Sequence, residues 1–86
     1  MGLKKHLTEN DLMTLAKHYR EKAGKKRAQA AREMGVRQTS IFNAEETPSQ
    51  SLTKLRIRLI EAYSPYEVVG AVYLLKRKGT QKQVRS

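Results

Sequence analysis

Gly35 separates two short segments whose apolar residues recur at helical spacing, and this arrangement constrains the fold more than any other feature of the chain. Before the glycine, Ala30 and Met34 fall on one helical face, and after it Val36 and Ile41 supply the next apolar positions. A glycine can adopt the positive φ that a tight bend between two helices needs. The two segments therefore predict short helices that cross closely, as in a helix-turn-helix motif.

The charge of the chain is strongly one-sided. Its 86 residues include 18 Lys and Arg against 8 Asp and Glu, which gives a formal net charge of +10. Such a field favours a polyanionic partner, although excess lysine that only solvates the surface is the alternative. A chain of this length predicts one domain with a small core and leaves little room for a deep catalytic cleft.

Several classes of protein are disfavoured by composition. The chain has no cysteine, so neither a disulfide framework nor a thiolate metal site is available. The longest apolar stretch, residues 68 to 75, is far shorter than the roughly 20 residues of a membrane-spanning helix. With no recognisable signal peptide, we expect a cytoplasmic, nucleoid-associated protein without a membrane partner.

The chain divides into three predicted parts: a flexible basic arm over residues 1–7, a folded domain over 8–79 and a disordered polar tail over 80–86. Thr8 and Asp11 have the spacing of a capping box, which predicts a first helix that begins at Glu9.

The remaining helices follow from capping and periodicity. Gly24 can end the first helix, and two further helices are predicted over about residues 26–34 and 38–45. Ser51 can cap a fourth helix, in which one arc is shared by Leu52, Leu55, Leu59, Ile60 and Tyr63. Arg56 falls inside the apolar arc of the fourth helix, where a side chain that snorkels outward or meets a partner would explain it.

A fifth helix is predicted from Pro65 onward, because Ser64, Pro65 and Glu67 form a second capping signature. Its apolar residues occupy nearly the whole helical wheel. Either a second subunit covers the outer side or the residues only complete a small core. The first alternative assigns a homodimer interface to Val68, Val72 and Leu75.

The third predicted helix carries a polar face that could contact DNA bases. With Ile41 and Ala44 turned inward, Thr39, Phe42, Asn43 and Glu46 point outward together, and Gln38 lies at the leading edge. The residues predicted to read bases are Gln38, Thr39, Phe42 and Asn43. Gln and Asn side chains can pair with adenine, and Thr can bond to a base or touch a thymine methyl. An ordinary solvated face is the alternative. Phe42 either lies against thymine methyls or folds back onto the core or a subunit contact.

Basic side chains flank this face and are predicted to contact phosphate. Three stand at the start of the second helix, one precedes the third, and two lie on the arm, where a merely solvated terminus is the alternative. These residues are Lys25, Lys26, Arg27, Arg37, Lys4 and Lys5.

The segment AREMGVRQTSIFNAEE resembles the helix-turn-helix of the lambda repressor and Cro-type (Xre-like) family, and similarity extends over roughly residues 4 to 75. The resemblance implies an all-α, compact five-helix domain, operator binding and a dimer. Three departures are visible. Arg27 stands where the family commonly has Gln, Lys26 replaces the usual Ser or Thr cap, and the loop after the third helix is short and lacks a Gly.

The sequence thus predicts a dimeric, sequence-specific regulator of transcription, a repressor, that inserts its third helix into the major groove of a double-stranded DNA operator. Half-sites would lie about 34 Å apart. The alternatives are a protein-interaction module, such as an antitoxin or anti-repressor that uses the fifth helix, and a non-specific nucleic-acid binder.

Catalysis is not expected. Two histidines and no cysteine assemble no nucleophile, cofactor site or small-molecule substrate site, and His18 with Glu21 gives only two of the ligands that a metal needs. No cofactor is predicted.

Overall fold

Four helices followed by a two-stranded antiparallel sheet form the computed structural model, which describes residues 7–69 and 74–78. The elements are α1 (Glu9–Lys22), α2 (Arg27–Met34), α3 (Gln38–Glu46), α4 (Thr53–Tyr63), β1 (Tyr66–Val69) and β2 (Leu74–Arg77). Residues 1–6 of the predicted arm and the predicted tail lie outside the described residues. Leu7, the last residue of that arm, is buried in the core.

The predicted start of α1 is confirmed. The Asp11 amide donates to Thr8 Oγ1 at 3.1 Å, and the Thr8 amide donates to Asp11 Oδ2 at 2.9 Å, which completes the reciprocal capping box. The predicted end is also confirmed, since Gly24 follows the C-cap Ala23 with a φ of 75°.

The bend between α2 and α3 forms as the sequence indicates. Gly35 has a φ of 72° and ends α2, while the Val36 amide donates to the Ala31 carbonyl at 3.0 Å. Ala30 and Ala31 are buried, so no bulky side chain separates the two helices at their crossing. The helix-hinge-helix arrangement predicted from Gly35 is therefore confirmed.

The core lies where α1, α2, α3 and α4 meet. Its fully buried residues are small or aliphatic, and each helix contributes at least one: Leu12, Ala16, Ala30, Ile41, Ala44, Leu59 and Ile60. Because Ile41 and Ala44 of α3 point into this core, the opposite side of α3 faces outward.

The expectation of an all-α domain with five helices is wrong. Residues 66 to 69 form β1, which pairs antiparallel with β2 in the register Tyr66↔Arg77, Glu67↔Lys76, Val68↔Leu75 and Val69↔Leu74. Adjacent β-branched residues at 68 and 69 favour a strand over a helix. A protein-interaction module that grips its partner with a fifth helix loses its basis, because these residues are not helical.

The capping signature at Ser64 has a different role from the predicted one. Ser64 Oγ accepts a hydrogen bond from the Tyr66 amide at 3.1 Å and donates to the Ile60 carbonyl at 2.6 Å. The hydroxyl thus closes a turn at the end of α4 and starts no helix. Glu61 connects α4 to β1, since its Oε2 accepts a hydrogen bond from the Val68 amide at 3.0 Å.

Two of the three residues assigned to a dimer interface contact their own domain. Val68 and Leu75 are cross-strand neighbours, and both are partly buried against the core. Val72 lies outside the described residues. The helical face that these residues were predicted to share does not exist, although dimerisation itself stays a prediction.

Two expectations for α4 are also wrong. The helix begins after Leu52 without a side-chain cap, so Ser51 does not cap it. The Arg56 side chain neither extends to the surface nor needs a partner molecule, because only 1% of the residue is exposed and its hydrogen-bond acceptors lie in the same chain. No helix among residues 7–69 and 74–78 is long and apolar enough to cross a membrane.

Candidate nucleic-acid interface

The first turns of α3 present three of the four predicted base-reading residues together. Gln38, Thr39 and Phe42 are exposed and line one shallow concavity, which Arg27 of α2 completes. Thr39 and Phe42 lie on the side of α3 away from the buried Ile41 and Ala44, and Gln38 lies at the edge of that side in the first turn, as the helical periodicity predicts. This surface, formed by Arg27, Gln38, Thr39 and Phe42, is called the α3 face below.

Asn43, the fourth predicted base-reading residue, is partly occupied. Its side chain is half-buried, and its Oδ1 accepts a hydrogen bond from Thr47 Oγ1 at 3.0 Å. Pairing with adenine requires an amide that donates and accepts at once. Asn43 is therefore less available for such a pair than Gln38 at the exposed start of the helix.

Arg27, predicted to contact phosphate, connects α2 to α3. Its Nε donates to Glu45 Oε1 at 3.0 Å and its Nη2 donates to Glu46 Oε2 at 2.7 Å. The guanidinium carbon also lies 4.9 Å from the centroid of the Phe42 ring, within the range of a cation–π interaction. The phosphate contact stays a prediction, but the charge of Arg27 is already balanced within the chain.

A buried ion pair fixes α3 against α1. Arg20 Nε donates to Glu45 Oε2 at 2.6 Å and Arg20 Nη2 donates to Glu45 Oε1 at 2.9 Å. The Glu45 side chain has no exposed surface, and Arg20 Nη1 donates in addition to the Lys25 carbonyl at 2.7 Å. These two parallel hydrogen bonds fix both the distance between α1 and α3 and the rotation of α3 about its own axis.

Sequence reasoning missed this pair. Arg20 and Glu45 are 25 positions apart, and helical periodicity does not reveal which charged residues will meet across a core. One signal was present, since Glu45 lies one position beyond the inward Ala44 near the end of α3.

An exposed ion pair extends the network. Lys17 Nζ donates to Glu46 Oε2 at 2.7 Å. This hydrogen bond, together with the charges of Lys17 and Arg27, lowers the pKa of the Glu46 carboxyl below its usual range. The Lys17–Glu46 pair therefore stabilises the fold fully at pH values above the pKa of a carboxyl in the unfolded chain. This stabilisation is lost as the pH falls through the lowered pKa of Glu46.

Arg56 holds the C-terminal end of α3. Its Nε donates to the Ala44 carbonyl at 2.9 Å, and its Nη2 donates to the carbonyls of Thr47 and Gln50 at 3.0 Å each. Its Nη1 reaches Glu9 Oε1 at 2.8 Å. A cation beside the last carbonyls of a helix is also favoured by the helix dipole.

The other predicted phosphate contacts differ in availability. Lys26 and Arg37 are exposed at the N-termini of α2 and α3, and neither helix has a side-chain acceptor from its N-cap residue. Lys25 Nζ instead donates to Glu33 Oε2 at 2.8 Å. Lys4 and Lys5 lie outside the described residues.

Glu33 also accepts from the Tyr63 hydroxyl at 2.5 Å, which joins α2 to α4. Burial, followed by the hydrogen bond to Glu33, raises the pKa of Tyr63 to about 12. The Tyr63 hydroxyl is therefore protonated at neutral pH and donates to Glu33. Because Glu33 also accepts from Lys25, the charge of Lys25 is paired within the chain.

No group of three histidine or acidic side chains within residues 7–69 and 74–78 is arranged to hold a metal ion. Comparisons with protein-family models, with curated proteins and with solved structures found no match to this chain.

Proposed function

We propose that the protein is a sequence-specific, double-stranded DNA-binding regulator of transcription, a repressor, that places α3 in the major groove. The observation that carries this proposal is the exposure of Gln38, Thr39 and Phe42 on a helix whose opposite side is buried. The C-terminal end of that helix is tied to the domain, by Arg27 through Glu45 and by Arg56 through the Ala44 carbonyl. The helix is thereby presented as a rigid element.

The residue types suit the recognition of bases. Gln38 can donate to and accept from adenine, and Thr39 can hydrogen-bond to a base edge. Both stand in the first turn of α3, and a recognition helix contacts bases with its N-terminal residues. A good bidentate contact discriminates between bases by about 1 to 3 kcal/mol.

Electrostatics supports the same partner. The net charge of +10 attracts the phosphate backbone, and Lys26 and Arg37 flank the α3 face on exposed positions. Contacts of this kind orient a protein on the duplex without reading its sequence. Lys4 and Lys5 on the N-terminal segment belong to the same proposal.

A homodimer completes the proposal. One short helix reads only a few base pairs, so two copies on half-sites about 34 Å apart would supply the specificity that a regulator needs. Such a dimer binds a site with twofold symmetry.

Selection of bound sequences from a random duplex pool tests this function. We expect an enriched palindromic sequence, and we expect its affinity to fall by at least about tenfold between 50 and 200 mM salt, since displaced counterions scale with the phosphates contacted. The variant K26Q should reduce the salt slope without changing the enriched sequence. Steep salt dependence without any enriched sequence would favour a non-specific nucleic-acid binder, and no binding would refute the proposal.

A further inference from the structure

We propose that the α3 face reads the 5-methyl group of a pyrimidine, that of thymine or of 5-methylcytosine, and that Arg27 serves as a positioning residue for this contact. The inference rests on the proposed function and adds a ligand chemistry to it. It depends on three features of the α3 face: an exposed aromatic ring, a neutralised cation against that ring, and polar neighbours suited to a base edge.

The first feature is the exposure of Phe42. Among residues 7–69 and 74–78 it is the only large apolar side chain that is exposed, with 45% of the residue accessible. Its ring does not fold back onto the core, which is one of the two alternatives left open by the sequence, the other being a subunit contact. A single exposed apolar residue is common on protein surfaces. Phe42 differs because it lines a concavity together with two residues able to contact a base.

The second feature is the way in which Arg27 holds the ring. The guanidinium lies 4.9 Å from the ring centroid and is itself fixed by Glu45 and Glu46 on the next turn of α3. Cation and ring therefore limit each other's movement. A contact to one methyl group requires such positioning, because the contact is lost when the ring rotates away.

The charge balance of Arg27 favours a base methyl over a phosphate as the occupant of the α3 face. Two carboxylates bind the guanidinium, and one of them, Glu45, is buried. Attraction for an anion is reduced where a cation is already paired. Besides Arg27, the concavity is lined by Phe42, Thr39 and Gln38, whose side chains carry an aromatic ring, a methyl and a hydroxyl group, and an amide.

The third feature is the match to a base edge. In the major groove, thymine presents its 5-methyl group next to its O4 acceptor. Phe42 and Thr39 can contact the methyl group, while the Gln38 amide can donate to an acceptor nearby. Unmethylated cytosine lacks the methyl group and presents a donor in place of O4, so it is disfavoured on both counts.

Substitution of single thymines by uracil tests the inference, because it removes the methyl group and leaves base pairing unchanged. In the duplex selected by the wild-type protein, we expect at least one thymine per half-site at which uracil weakens binding about threefold to fivefold, the effect of one buried methyl group. F42A should lose most of the difference between the thymine and uracil duplexes, since only Thr39 then remains to contact the methyl group. F42L, which retains an apolar side chain, should keep part of the difference.

R27Q tests the positioning role. We expect it to reduce the ratio of the affinities for the thymine and uracil duplexes, whereas loss of a phosphate contact would weaken binding to both duplexes alike and leave that ratio unchanged. A duplex with 5-methylcytosine opposite guanine at the sensitive position should bind better than the same duplex with cytosine there.

Phe42 is exposed, so F42A should retain the wild-type melting temperature, and circular dichroism checks this.

The outcomes separate this inference from the proposed function. Uracil without effect at every thymine of the half-site, or an effect that F42A leaves intact, would overturn the methyl contact while operator binding stands. A pool without any enriched sequence would instead refute the function on which the inference rests.

Discussion

Replacing Arg56 with leucine is expected to lower the free energy of unfolding by about 3 to 5 kcal/mol. The change deletes a buried guanidinium that serves Glu9 and the carbonyls of Ala44, Thr47 and Gln50. The Ala44 carbonyl would lose its donor at the end of α3, while the carbonyls of Thr47 and Gln50 would keep only the amides of Gln50 and Leu52. An unsatisfied buried polar group costs about 1 to 3 kcal/mol. Small domains have total stabilities of about 5 to 15 kcal/mol, so R56L should lose a large fraction of its stability. Urea denaturation followed by circular dichroism measures the loss.

R58L is the matched control for R56L. Arg58 lies two positions further along α4, is exposed and donates one hydrogen bond, to the Met34 carbonyl at 2.7 Å. We expect R58L to change stability by less than about 1 kcal/mol. Equal losses in the two variants, or an R56L domain as stable as the wild type, would contradict the proposed role of Arg56 in holding α3.

The second large effect is expected at Glu45, where alanine should cost about 3 to 5 kcal/mol. Removing the carboxylate leaves the Arg20 side chain, only 7% exposed, with the exposed Glu21 at 3.7 Å as its remaining charged partner, and it releases Arg27 Nε as well. A double-mutant cycle with R20M measures how much of the loss belongs to the pair. The double variant should be more stable than E45A, since it removes the buried charge that has lost its hydrogen-bonded carboxylate.

E46A provides the control within the same helix. Glu46 also accepts from a lysine and an arginine, but a third of its side chain is exposed. Exposed ion pairs typically contribute less than about 1 kcal/mol, so E46A should stay within that range. An E46A variant as unstable as E45A would contradict the view that burial makes the Arg20–Glu45 pair important.

Local signals in the sequence predicted the helical part of the fold. The Thr8 capping box, the two glycines with positive φ and the 3.6-residue apolar period are all encoded within a few neighbouring positions, and all four helices formed close to their predicted bounds. The exposed sides of Gln38, Thr39 and Phe42 follow from the same periodicity, because Ile41 and Ala44 determine which side is buried.

The β1–β2 hairpin could not be predicted from local sequence signals. Ser64, Pro65 and Glu67 have the spacing of a helix cap, yet a serine hydroxyl can equally accept from the amide two residues onward, as Ser64 does from Tyr66. What decides between them is the pairing of β1 with β2 and the contact of Val68 and Leu75 with the core. These interactions are not local in sequence.

The polar network around α3 could not be predicted from the sequence either. Arg56 stood out in an apolar arc, but its partners Glu9 and Ala44 are 47 and 12 positions away. The preference of Glu45 for Arg20 depends on how α1 crosses α3, which a single sequence does not specify. A charged residue at an inward position was the visible signal, and an internal partner is the reading that the structure supports.

The central claim is that α3 discriminates between DNA sequences through its exposed first turn. The most direct measurement is the ratio of affinities for the selected duplex and for a shuffled duplex of the same composition, compared between the wild type and Q38A/T39A. We expect a wild-type ratio of about 10³ or more and a decrease of at least about 30-fold in the double variant, from the loss of two base contacts. S49A/Q50A, which removes a hydroxyl and an amide from exposed positions after α3, should keep the wild-type ratio. A ratio near one for the wild type, or a ratio that Q38A/T39A leaves unchanged, would contradict the account.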